Sequence, residues 1–136
     1  MARKVDLIGL GFPPFLASKL ANDVLTVTLQ GSSVGSALAL ATDAGTIVVT
    51  GTNAGAGGVL PSMNPGNVNQ VGASPGDELI VNNQISASVI IYAPSAATIS
   101  GGGVNTAGTT GISVGSHKST RFIILTASSW AAVIGA

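Results

Sequence analysis

Residues 24–31 read VLTVTLQG, and at this stretch the sequence takes on the two-residue period of a β-strand. The apolar side chains Leu25, Val27 and Leu29 point to one side of an extended chain, while the intervening threonines point to the other. One apolar face and one hydroxyl-bearing face are typical of a strand that is buried on one side only.

Seven later stretches share this character, with short β-branched or apolar runs between glycine-rich turns. They are residues 45–51, 77–83, 86–93, 97–100, 111–114, 118–127 and 130–136. Many short strands with such turns predict an all-β domain over residues 23–136, a small antiparallel β-sandwich or barrel that is jelly-roll-like. Residues 51–76 are rich in Gly, Pro and Asn, which predicts a long functional or interface loop.

Residues 1–22 do not share the period of two and are predicted to form an N-terminal arm. Pro14 suits the first turn of a helix, and the residues after it place apolar side chains at helical spacing. We expect the arm to contain this short helix and to anchor the protein to a partner. The candidate contact residues are Leu10, Phe12, Pro13, Pro14, Phe15, Leu16 and Leu20. The alternative is that the arm plugs one end of its own β-domain.

The composition is that of a subunit in an assembly. Charged residues make up 7% of the chain and the formal net charge is zero, whereas ordinary soluble domains have about 25% charged residues. Few charges and no net charge favour association. The scattered Lys and Arg residues argue against nucleic-acid binding, and no apolar run approaches the roughly 20 residues of a membrane span. The chain has no cysteine.

Two predicted strands are apolar at every position, VIIY at 89–92 and FIIL at 122–125. A strand in a small antiparallel domain has one polar face, so both faces of these strands must be covered. The composition favours a neighbouring subunit as the cover, with Val89, Ile91, Phe122 and Ile124 as candidate interface residues. The alternative is a strand buried centrally within one chain.

A search for catalytic chemistry finds none. His117 lies in VGSHKS, which is typical of an exposed hairpin turn. Asp77 and Glu78 are adjacent and point to opposite faces of a strand, so they make a poor acid/base pair. Trp130 is predicted to close the core rather than to stack on a ligand. We therefore expect no enzymatic activity, no cofactor and no metal site.

Two stretches resemble a known group of proteins. LIGLGFPPFLASKLA (7–21) is similar to the opening of many small virion proteins of tailed bacteriophages, and residues 89–134 resemble a β-rich module common in them. The features of that module are a Tyr-x-Pro turn, a Gly/Asn/Thr loop and a closing strand with Trp.

The resemblance implies a capsid decoration (cement) protein, a homotrimer on the outside of the head that binds the major capsid protein. The expected location is the virion exterior, after synthesis in the host cytoplasm. The alternative is a head- or tail-fibre module that binds a host-surface glycan or receptor, with Trp130, Tyr92 and the Asn-rich loop as its candidate residues.

Overall fold

The computed structural model describes residues 8–11, 24–33, 35–40, 45–61, 75–94, 97–101, 104–107, 111–126 and 128–134. These residues are mainly β-strand, as predicted. The strands are β1 Val24–Gly31, β2 Leu38–Ala39, β3 Thr46–Gly55, β4 Gly57–Val59, β5 Glu78–Asn83, β6 Val89–Tyr92, β7 Thr98–Gly101, β8 Val104–Ala107, β9 Ile112–Val114, β10 Ser119–Thr126 and β11 Ser129–Ile134.

The strands form two sheets. One sheet has seven strands in the order β1-β3-β5-β10-β11-β7-β8, and the other has four in the order β2-β4-β6-β9. The first six strands alternate between the sheets, so the chain winds like a coil and adds one strand to each sheet per turn. The last five strands complete the sheets, largely through antiparallel pairs.

The winding makes both sheets mixed, which corrects the prediction of an antiparallel domain. Among the described strands, β1 pairs with β3 and β3 with β5 in parallel, and the same holds for β2 with β4 and for β4 with β6. A parallel pair needs a long crossover, usually a helix. In this chain a strand of the opposite sheet serves as the crossover. Hydrophobic alternation does not encode strand direction, so the sequence pattern could not show it.

Both sheets contribute to one apolar core. The two largest fully buried side chains are Trp130 and Phe122, which confirms the placement of Trp130 in the core. Around them pack aliphatic side chains of both sheets, among them Leu29, Ile47, Val49, Leu79, Val81, Val89, Ile91, Ile99, Ile112, Val114 and Ile124.

Part of the predicted loop over residues 51–76 is strand. Residues 51–55 extend β3 and residues 57–59 form β4. Gly57 lies so close to the Tyr92 ring that a Cβ on it would approach Cε2 to 2.9 Å, and a Cβ on Gly58 would meet Leu29, Leu40 and Ile91 at 3.2–3.3 Å. Gly57 and Gly58 therefore allow close packing in a strand, although the glycine-rich composition of this segment is typical of a loop.

The described part of the N-terminal arm is residues 8–11, in which the Gly11 N–H donates to the Ile8 carbonyl at 3.0 Å. The helix predicted to begin at Pro14 lies outside the described residues. No helix within the described ranges is long and apolar enough to span a bilayer.

Candidate interaction surface

Strand β10 shows how the fully apolar runs are divided between core and surface. Phe122 and Ile124 point into the core, whereas Arg121 and Leu125 are exposed and Ile123 is half-buried. In β6 likewise, Val89 and Ile91 are buried and Ile90 lies at the surface.

The assignment of Val89, Ile91, Phe122 and Ile124 to a subunit interface is therefore corrected. All four side chains are at most 1% exposed in the single chain, so they have no surface to offer a partner. Successive side chains in these strands still point alternately to the core and to the surface. The residues that alternate with them are the ones available for contact.

The alternate residues of β10 belong to a larger surface with apolar members, the outer face of the seven-stranded sheet. Its apolar members are Val24, Val48, Ile80, Ile123, Leu125 and Val133. They are not direct cross-strand partners: Arg121 lies between Ile80 on β5 and Val133 on β11, and Ile123 is a diagonal neighbour of both. Sequence reasoning missed Ile80 and Val133, although an apolar residue at every position of LIV (79–81) was a usable signal.

The charged groups on this face are few among the described residues. Arg121 and Glu78 lie 4.0 Å apart, and both side chains are 48% exposed. An exposed pair at that distance contributes less than about 1 kcal/mol. Ile123 has Glu78 and Ala131 as its cross-strand neighbours, so the ion pair lies among the apolar residues of this face.

A polar cluster borders the outer face at the end of β5. The Asn82 amide donates to the Ser119 hydroxyl at 2.6 Å, and the Gln84 amide donates to the Asn82 side-chain oxygen. These groups satisfy one another within the chain. The cluster therefore forms a neutral polar rim.

The predicted contact residues of the arm fall mostly outside the described residues. Leu10 is described and is 76% exposed, the largest exposed fraction among the described large apolar side chains. Phe12, Pro13, Pro14, Phe15, Leu16 and Leu20 lie outside the described ranges.

The residues considered for chemistry, His117, Asp77 and Glu78, lie in the described part of the chain. His117 is exposed in a turn closed by the Lys118 N–H donating to the Gly115 carbonyl at 3.1 Å. Asp77 is buried whereas Glu78 is exposed. Among the described residues, no three His, Cys, Asp or Glu side chains are grouped to hold a metal ion.

The aromatic residues considered for glycan stacking are also buried. Trp130 has no exposed surface and Tyr92 is 3% exposed, with its hydroxyl donating to the Ser32 carbonyl at 2.9 Å. The chain has one Trp and one Tyr. Neither ring presents a face on which a sugar could stack.

No protein-family model, curated protein or solved structure matches the chain.

Proposed function

We propose that the protein is a non-enzymatic structural subunit of a tailed-bacteriophage particle. It assembles as a homotrimer on the outside of the head and stabilises the lattice of the major capsid protein. In this proposal the two sheets are the layers of a jelly-roll-like β-sandwich, and residues 1–22 are the anchor. The protein is made in the host cytoplasm and is located on the virion exterior.

The outer face of the seven-stranded sheet carries the proposal. Its centre presents Ile80, Ile123 and Val133 around Arg121, whose interaction with Glu78 is weak. Antiparallel and mixed sheets that face water usually have polar side chains on that side. Apolar side chains clustered at the surface around a single ion pair are the feature that supports an interaction site here. Contacts between copies of the chain would cover it.

The resemblance of residues 7–21 and 89–134 to small phage virion proteins supplies the kind of assembly. A protein that binds the assembled shell and not its dissociated subunits stabilises the shell by mass action. Three arms on one trimer would bind together and gain avidity. The arm in each copy contributes Leu10 and the two phenylalanines at positions 12 and 15 as apolar contacts.

Association through the outer face is tested by light scattering on the purified full chain. We expect a mass that is a multiple of three chains, and a threefold lower mass for Ile123→Lys, because a second positive charge next to Arg121 adds an unpaired charge that opposes burial of the face. Ser113→Lys is the matched control, since Ser113 is exposed on a strand of the other sheet. A monomeric parent protein, or an equal effect of the two variants, would contradict the proposal.

Capsid binding through the arm is tested by co-sedimentation with phage heads that lack this protein. The full chain with Phe12→Ser and Phe15→Ser should lose at least tenfold in affinity, because each buried Phe contributes about 1.5–3 kcal/mol. A Lys19→Ser variant is the control within the same segment. Full-strength binding by the double variant would show that the arm is not the anchor.

The alternative, a fibre module that binds glycan, has less support. Both of its aromatic candidates are buried in the core. Its remaining candidate is the Asn-rich segment, which lies outside the described residues.

A further inference from the structure

Strand β1 lies at one edge of the seven-stranded sheet. It pairs with β3 on one side, and no described strand pairs with its other side. Its eight residues, VLTVTLQG, include no charged residue and no proline. Natural proteins usually protect an edge strand of this length with Lys, Pro or a covering segment. The composition of β1 is that of a strand which pairs with another.

The backbone of β1 directs hydrogen-bonding groups to the side on which no described strand pairs with it. The Thr50 hydroxyl donates to the Val27 carbonyl at 3.4 Å, so this carbonyl points toward β3. In a strand paired in parallel, alternate residues turn their N–H and C=O groups to opposite sides. The backbone groups of Thr26 and Thr28 are therefore directed to the free edge.

The sequence of this edge is a palindrome. Residues 25–29 read LTVTL, which is the same in both directions. Two copies of β1 placed antiparallel about a two-fold axis at Val27 set Leu25 opposite Leu29 of the second copy, and Thr26 opposite its Thr28. Each residue of 25–29 then lies opposite a residue of the same type, with leucines on the core side and threonines on the outer side. A slip of one residue would mix the two faces.

We propose that two copies of the chain associate through β1 in this antiparallel register, which joins their seven-stranded sheets into one. The pairing would cover Leu25, which is 39% exposed although it lies on the core side of the strand. Such an interface is isologous and closes at two copies. It is therefore distinct from the three-fold contact proposed for the outer face, and the smallest closed assembly that contains both contacts has six chains.

The register is tested by disulfide trapping. Because the chain has no cysteine, only the introduced cysteines can form a cross-link. Opposed residues of a hydrogen-bonded antiparallel pair have Cα atoms about 5.5 Å apart, within disulfide range. Under mild oxidation, a mixture of Thr26→Cys and Thr28→Cys proteins should form a mixed dimer at least tenfold faster than either protein cross-links with itself. Two copies of the same cysteine would lie diagonally across the interface, with their Cα atoms about 8 Å apart. Equal rates, or no cross-link, would overturn the proposal.

A second test removes the edge hydrogen bond. Thr26→Pro eliminates an N–H that β3 does not use, so the variant should fold and its mass by light scattering should be half that of the parent. Thr26→Val retains the N–H and should keep the parent mass. An unchanged mass for a folded Thr26→Pro protein would overturn the inference. The Ile123→Lys variant should still give the mixed cysteine cross-link, so failure of the three-fold contact and failure of the edge contact are distinguishable.

Discussion

The buried Asn83 side chain, at the end of β5, donates to the Val114 carbonyl at the end of β9, 3.2 Å away. The same amide nitrogen donates to Ala87 at 2.7 Å and to Gly115 at 3.0 Å, while the side-chain oxygen accepts from the Ile85 N–H at 3.1 Å. β5 belongs to the seven-stranded sheet and β9 to the four-stranded one. Asn83 therefore joins the two sheets at one end through hydrogen bonds.

Replacing Asn83 by Ala should lower the free energy of unfolding by about 3 kcal/mol, because buried carbonyl groups lose their donor and a small cavity remains. The midpoint of urea unfolding measures this loss. Asn82→Ala is the control: Asn82 is half-buried on the outer face, where water can replace its partner, so its loss should be less than about 1 kcal/mol. Equal losses would show that Asn83 does not join the sheets.

Among the glycines in the segment from β1 to β3, Gly31 is expected to lose the most stability when it is replaced by alanine. It has a φ of +79°, and a Cβ on it would lie 2.2 Å from the Ser36 carbonyl oxygen. Gly31→Ala should cost more than about 4 kcal/mol or prevent folding, since backbone must move.

A substitution at Gly76 measures the cost of the backbone conformation without the cost of a steric clash. This glycine has a similar φ of +91°, but apart from its chain neighbours no heavy atom of the described residues lies within 4 Å of the position of its Cβ. Gly76→Ala should therefore cost only the left-handed conformation, about 1–2 kcal/mol. Urea unfolding of both variants measures the difference. Equal costs would mean that the contact of Gly31 with Ser36 adds nothing.

His117 is the one residue other than glycine with a positive φ among the described residues, +55°. His117→Gly should raise the free energy of unfolding by about 0.5 kcal/mol, the strain released less the entropy that glycine costs. His117→Val should lower it by about 1 kcal/mol, because a β-branched residue tolerates this conformation poorly. Thermal unfolding followed by circular dichroism measures both. A more stable Val variant would contradict the assignment of strain to this turn.

Much of the β-structure could be predicted from the sequence. The alternation in residues 24–31 predicted β1, and the β-branched runs between glycines located seven further strands, because burial of one sheet face selects apolar residues at every second position. Three strands were missed. β2 has two residues and β4 is rich in glycine, so neither carries a period, and β8 lies in a stretch that was interpreted as a loop.

The candidate surface was predicted only in part. The runs at 89–92 and 122–125 correctly indicated that apolar side chains lie on more than one face. In a run that is apolar at every position, however, the sequence does not tell which alternate residues point into the core. The tertiary structure decided that Phe122 and Ile124 belong to the core and Ile123 to the outer face.

The sequence by itself determined that this chain is all-β with an aliphatic core, since residue type and a period of two depend only on neighbours along the chain. The tertiary structure decided the order and direction of the strands, the division of the apolar runs between core and outer face, and the position of β1 at an edge. These features depend on contacts between residues far apart in sequence, such as Asn83 with Val114, which no local pattern encodes.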